Sequence, residues 1–281
     1  MPSVTTFHAT GTAIVCDPPI VMGVVNVTPD SFFDGGTVYD PADATRAIAH
    51  GVALFDAGAR IVDVGGESTR PYAKPVSVRE ERDRVLPVVA GLVDAGVTVS
   101  IDTRHAPVAA ACLDAGACVV NDVSAGTHDP KMFDTVMGAD AGFVLMHMQG
   151  TPETMQHDPT YEDVVQDVAA FLRARLDAFV QAGGNRGNVV VDPGIGFGKT
   201  VAHNLALMKN LDVLHTLGCP VLVGVSHKSV LGAVTGRDDP ALRHAATTAA
   251  HALLATRGAH ILRAHDVAAT VDALAVADAF G

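Results

Sequence analysis

Tryptophan is absent from this 281-residue chain, tyrosine occurs three times, cysteine four times, and lysine plus arginine number 19 against 31 acidic residues. The cysteines, Cys16, Cys112, Cys118 and Cys219, form no CxxC pair and sit mostly in apolar surroundings. That argues against a zinc site or a disulfide framework and suits reduced core thiols. The shortage of basic residues leaves a net charge of −12, which argues against nucleic acid or anionic membrane as the bulk partner while leaving room for a local basic pocket. No uncharged run approaches the roughly 20 residues of a membrane span. The start, MPSVTTFHATGTAIVCDPP, has neither a basic opening nor a continuous apolar stretch, so we expect no membrane contact and a cytoplasmic location. Polar or proline-rich linkers are lacking too. Residues 20–281 are therefore read as one domain, preceded by a leader or hairpin over residues 1–19.

What the chain does contain is apolar bulk, 48% of its residues, and 27 glycines. That composition is ample for a buried core and excludes disorder. The glycines recur in one context, after a helix-like stretch and before a short β-branched run: Gly58 in DAGARIVDV, Gly96 in DAGVTVSID, Gly116 in DAGACVVND, Gly142 in DAGFVLMH, Gly183, Gly218 and Gly258. Glycine adopts the left-handed conformation cheaply, so each is read as a helix stop feeding a strand. With the run IVMGVVN at 20–26 this gives eight strand candidates separated by helix-length segments. Continuous Val/Ile runs suit strands covered on both faces. Eight such units predict an α/β fold, a (β/α)8 TIM barrel, in preference to a doubly wound open sheet.

In such a barrel the chemistry sits at the C-terminal ends of the strands. The runs end in Asn26, Asp63, Asp102, Asn121-Asp122, His147, Asp192, Ser226-His227-Lys228 and Arg263-His265-Asp266. Any one could cap the following helix, but a mixture of carboxylates, amides and cations points to a converging site. Asp102, Asn121 and Asp192 suit a flat heterocycle with a guanidine-like N–H edge, since a carboxylate accepts from two neighbouring N–H groups. Lys228, Arg263, His265 and Arg70 suit a phosphate or pyrophosphate. DPGIGFGKT at 192–200 fails the phosphate-loop pattern, because Pro193 stands where a glycine is required. Its glycines are read as turning the backbone tightly over a ligand, with Phe197 as an apolar wall. The loops at 28–40 and 65–77 exceed the usual length of a strand-to-helix connection and are candidate lids.

The segments MGVVNVTPDSFFDGG, IVDVGGESTRP, VSIDTR, VVNDVSAG, VLMHMQGTPETMQ, VVVDPGIGFGKT, VGVSHKSVLG and LRAHDV, in this order, resemble the dihydropteroate synthases over nearly the whole chain. The resemblance implies condensation of 6-hydroxymethyl-7,8-dihydropterin diphosphate with 4-aminobenzoate in folate biosynthesis, by a dissociative substitution. It implies a pterin site of Asp102, Asn121, Met146, Asp192, Lys228 and Arg263. Pyrophosphate would be held by Asn26, Thr69, Arg70, Arg263 and His265, with Mg²⁺ on Asn26. The aminobenzoate pocket would comprise Phe32, Arg70, Pro71, Phe197 and Ser226, and Asp34 would stabilise a transient carbocation. Asp34, Arg70, Lys228, Arg263 and His265 are thus the implied catalytic set. The family also implies a homodimer through the late helices and sensitivity to sulfonamides.

Departures from the family pattern are His227, where Ser-Arg-Lys is usual, and the bulky Phe33 and Tyr72. A histidine titrating near neutrality is expected to make support of the aminobenzoate end pH-dependent. The two aromatics are expected to alter sulfonamide affinity. Two other readings share the barrel: a methyltetrahydrofolate-binding methyltransferase, which the STRP loop and the Arg-x-His-Asp set disfavour, and a non-catalytic pterin-binding paralogue.

Overall fold

The computed structural model describes residues 5–28, 44–68 and 75–280. Strands β1 (Thr6–Ala9) and β2 (Thr12–Val15) form an antiparallel hairpin. Eight parallel strands follow: β3 (Ile20–Asn26), β4 (Ile61–Gly65), β5 (Val99–Asp102), β6 (Val119–Asp122), β7 (Gly142–Met146), β8 (Val189–Asp192), β9 (Leu222–Val223) and β10 (Ile261–Ala264). They pair in the order β8-β7-β6-β5-β4-β3-β10-β9. A parallel bridge between Val191 and Val221 joins the two outer strands, closing a TIM barrel. Helices follow the strands, among them Val78–Asp94, Val164–Gln181, Val201–Lys209, Ser229–Thr235, His244–Ala255 and Val267–Phe280. No helix among the described residues is long and apolar enough to cross a membrane.

The unbroken apolar runs divide by parity, because successive strand side chains point to opposite faces. One set, including Val62, Val64, Ile101, Val120, Phe143, Leu145, Val191 and Leu262, joins the helices in the larger core. The other set, Met22, Ile61, Val119, Val144, Val190, Leu222 and Ile261, forms a floor inside the barrel, packed against Phe7, Ala9 and Ile14 of the hairpin. Two residues further along each strand the inward positions become Asp63, Asn121, Met146, Asp192 and Arg263, with Asp102 following Ser100 on β5. The change from oil to charge thus takes one layer.

The glycine stops hold at Gly58, Gly96, Gly116, Gly183, Gly218 and Gly258, all of which have positive φ. Gly142 departs from the expectation. It opens β7 itself, and Asp140, at φ 48°, takes the left-handed turn in its place. A Cβ on Gly142 would lie 2.9 Å from the Phe7 ring and 3.2 Å from the Ala9 Cβ. This glycine is therefore a socket for the hairpin. Gly142→Ala is expected to destabilise the fold by about 1 to 3 kcal/mol, the usual cost of overpacking. Adding Phe7→Leu should recover part of that loss in thermal unfolding, whereas Phe7→Leu alone should destabilise.

Candidate active site

Arg263 rises from β10 into the charged layer and divides its guanidinium between two carboxylates. Its Nε donates to Asp63 Oδ2 at 2.7 Å and its Nη2 to Asp102 Oδ2 at 2.8 Å. Asn121 Nδ2 donates to the same Asp63 oxygen at 2.9 Å. Burial opposes the charge on Arg263, but Asp63 and Asp102 outweigh it and hold the guanidinium above its ordinary value. Burial likewise pushes Asp102 up to about 7, against the pull of Arg263.

Asp192 and Lys228 form the second half of the layer. Asp192 ends β8 beside Met146 in register, and its Oδ1 accepts the Gly194 N–H at 2.7 Å. Burial raises its pKa, with Lys228 opposing. Lys228 precedes the Ser229–Thr235 helix and donates from Nζ to the Ile195 carbonyl. Its Nζ also lies 4.7 Å from the Phe197 ring centroid, within cation–π range. Burial brings this lysine down to about 8, with Asp192 offsetting part of the effect and Arg263 adding to it.

Missing side chains make room for these groups. A Cβ at Gly224 would stand 3.6 Å from Arg263 Cβ and 3.8 Å from Lys228 Nζ, and one at Gly196 3.2 Å from Lys228 Cδ. At the mouth, Asn26 ends β3 opposite Gly65, and a Cβ there would lie 3.9 Å from Asn26 Oδ1 and 3.7 Å from Asp102 Oδ2. Ser226 Oγ is hydrogen-bonded to His265 Nδ1 at 2.9 Å, one inward position above Arg263.

The structure therefore gathers Asp102, Asn121, Asp192, Lys228 and Arg263 around the barrel axis, with Met146 on the wall. Asn26, Ser226 and His265 stand toward the mouth. Phe32, Phe33, Asp34, Thr69, Arg70, Pro71 and Tyr72 lie outside the described residues.

Not every polar strand end converges. Asp122 accepts from Ser124 N–H, Ser124 Oγ and Gly126 N–H, fixing its own loop. His147 is hydrogen-bonded through Nδ1 to Lys199 and packs edge-on against Phe171. Asp266 accepts from Ala269 N–H in the helix that follows it. All three have the parity that faces the helices.

His227 is fixed by both its backbone and its ring. Its backbone is left-handed at φ 57°, its N–H donates to Thr247 Oγ1, and its carbonyl accepts from Arg243 Nη1 at 2.7 Å. The ring Nδ1 lies 2.9 Å from the Pro240 carbonyl. Burial lowers its pKa, with the hydrogen bond to the Pro240 carbonyl opposing.

The residue missing from the expected site is Asp63. It was legible as a polar residue in an apolar run, but β4 continues past it to Gly65, so it lies deeper than a strand end. Its fully buried carboxylate holds both Arg263 and Asn121. Asp63→Asn keeps an acceptor for Asn121 but removes the charge facing Arg263. The expected result is a lowered melting temperature in thermal unfolding, corresponding to a loss of about 3 to 5 kcal/mol of stability, because one partner of a buried pair is left unbalanced.

A family model described as pterin binding enzyme matches residues 22–265. A dihydropteroate synthase from Mycobacterium leprae is 47% identical over 269 residues, covering 94% of each chain. Among solved structures, a Xanthomonas albilineans dihydropteroate synthase with 4-aminobenzoic acid superposes with a TM-score of 0.90 at 45% identity, covering 99% of this chain and 98% of that one. A Yersinia pestis dihydropteroate synthase with a sulfonamide drug complex gives a TM-score of 0.92 at 39% identity, covering 98% of each. With the charged layer, the lysine on its aromatic wall and the Ser226–His265 pair in one barrel, these likenesses place the chain in the dihydropteroate synthase family of pterin-binding enzymes.

Proposed function

We propose that this protein condenses 6-hydroxymethyl-7,8-dihydropterin diphosphate with 4-aminobenzoate, forming 7,8-dihydropteroate and pyrophosphate for folate biosynthesis in the cytoplasm. The observation that carries this reading is the arrangement of charge in depth. Carboxylates and an amide occupy the barrel interior, where a heterocycle edge would enter, and His265 stands toward the mouth, where a pyrophosphate would lie.

In this reading Asp192, Asn121 and Lys228 pair with the polar edge of the pterin. Met146 packs beside the ring. Arg263, held rigid by two carboxylates, spans the ring and the first phosphate. The exocyclic C–O bond breaks with its electron pair leaving on pyrophosphate, and the resulting cation is delocalised into the pterin. The aminobenzoate nitrogen then forms the C–N bond and sheds a proton to solvent or the departing phosphate. The reaction is a transfer of the pterinylmethyl group and needs no enzymatic nucleophile. Fixed cations placed where negative charge develops supply the electrostatic stabilisation that commonly dominates such steps. Asp34 is assigned to the transient carbocation and Thr69 and Arg70 to the phosphates. Phe32, Pro71, Phe197 and Ser226 are assigned to the aminobenzoate end.

Mg²⁺ belongs to the same reading. No group of three or more His, Cys, Asp or Glu able to hold a metal occurs among the described residues. Asn26 offers an amide oxygen at the mouth, which fits an ion that takes its other ligands from phosphate and water. When bound it would neutralise charge on the leaving pyrophosphate. A homodimer through the last two helices also forms part of the proposal, with Leu253, Val276 and Phe280 exposed there.

Pyrophosphate release from the pterin diphosphate tests the function. Release that requires both 4-aminobenzoate and Mg²⁺ is expected. Release indifferent to 4-aminobenzoate, or none at all, would overturn the reading. A pH profile tests the role of Lys228. Its ammonium is charged below about 8 and loses its proton above that value, so pterin affinity should decline as pH rises through 8. Lys228→Met should bind weakly and lack that decline.

A further inference from the structure

Lys199 follows the three glycines of the 193–198 loop and is 3% exposed, yet it enters none of the steps above. Its Nζ donates to His147 Nδ1 at 2.9 Å, to the Phe197 carbonyl at 2.9 Å and to the Gly194 carbonyl at 3.0 Å, with the His147 carbonyl at 3.3 Å. The three protons of the ammonium thus have an acceptor each. Two of those acceptors, Gly194 and Phe197, bracket Ile195 and Gly196. That short segment carries the carbonyl that receives Lys228, and Phe197 supplies the ring beneath the Lys228 ammonium.

We propose that Lys199 is a positioning residue, an internal ammonium that knots the 193–198 loop onto the end of β7 and thereby places Ile195 and Phe197 against Lys228. This rests on the pterin-site reading above.

The loop has other side-chain ties, and they hold different atoms. Asn204 Oδ1 accepts from Gly196 N–H, Gln156 Nε2 donates to the Gly196 carbonyl, and Tyr161 donates to the Gly198 carbonyl. None of these side-chain bonds reaches the carbonyls of Gly194 and Phe197, and the backbone turn in which Phe197 N–H donates to the Gly194 carbonyl at 3.1 Å stays within the loop, whereas Lys199 ties both carbonyls to His147. The backbone also needs an inward anchor, since Gly194, Gly196 and Gly198 all have positive φ, a conformational freedom that costs entropy when fixed. At Gly194 the packing on β7 is close enough that a Cβ would fall 1.9 Å from the His147 carbonyl oxygen.

His147 suits the acceptor role. Burial and the neighbouring Lys199 lower it to about 3, so the ring is neutral and its Nδ1 can offer a lone pair. Burial lowers Lys199 itself to about 7, with Asp192 opposing and Lys228 adding to the effect. The lysine thus also feels the charges of Asp192 and Lys228 across the loop it ties.

The test measures binding of 6-hydroxymethylpterin by calorimetry, beside pyrophosphate release and thermal unfolding. Lys199→Met should weaken the pterin 10-fold or more. His147→Leu, which removes the acceptor, should weaken it severalfold, whereas His147→Asn, which can present an amide oxygen in its place, should stay within threefold of wild type. Because Lys199 acts through Lys228, the double variant Lys199→Met, Lys228→Met should bind no more weakly than Lys228→Met alone. Losses that multiply in the double variant, pterin affinity unchanged in Lys199→Met, or no rescue by His147→Asn over His147→Leu would overturn the inference. If Lys199→Met does not fold, the His147 pair decides it. A wild type that releases no pyrophosphate would count against the synthase reading alone, since the pterin-binding comparison stands independently.

Discussion

The hydrogen-bonded ion pairs from Arg263 to Asp63 and Asp102 are the constraint around which the barrel interior is built. Moving a charge from water into a protein interior costs several kcal/mol even after relaxation, and this layer holds three carboxylates. They are tolerable because β10 delivers a guanidinium that satisfies two of them along separate N–H directions, while Lys228 faces the third electrostatically. The floor beneath is apolar but for Ser100. Asp63, fully buried, depends on Arg263 and Asn121 for its hydrogen bonds. Arginine suits this position better than lysine would, since its planar fork reaches two acids at fixed angles without losing its proton.

Strand parity turns that constraint into a site. With a period of two, the inward face of four strands runs from a floor residue to a charged or polar one two positions on, from Ile61 to Asp63, Val119 to Asn121, Val190 to Asp192 and Ile261 to Arg263. Residues of the other parity cannot join, however polar they are. Asp122 and His147 sit beside Asn121 and Met146 in sequence but serve a loop and a buried lysine. Polarity at a strand end is therefore a weaker signal than polarity in phase with the floor. The same phase assigns Asp63 to the layer.

The barrel and most of the charged layer were legible because they depend on local patterns: glycine stops, continuous Val/Ile runs and the polar residue closing each run. The resemblance to the synthases then supplied roles that no spacing contains. What escaped depends on contacts distant in sequence. Gly142 looks like another helix stop, and only the arrival of Phe7 from the hairpin shows it to be a socket. His227 stands out in sequence only as a departure from the family's Ser-Arg-Lys, and its partners Pro240, Arg243 and Thr247 come from later segments. Lys199 reads as the lysine of a failed phosphate loop, and its acceptor on β7 lies 52 residues earlier.

Under the proposed assignments, the division between strand and loop residues would also set an order of events. The pterin half as proposed rests mainly on strand residues held by ion pairs and hydrogen bonds, so little entropy would remain to be lost when the first ligand binds. The aminobenzoate half is assigned chiefly to Phe32, Arg70 and Pro71, which belong to connections longer than the barrel requires. A cation formed on the pterin's exocyclic carbon would be intercepted by water if the second half stood open, since excluding water suppresses such side reactions. The physical requirement is that the first substrate bind to what is already built and the second help complete what is not. A charged layer carried on strands meets the first part of that requirement, because hydrogen-bonded strands hold the charges that are costly to misplace.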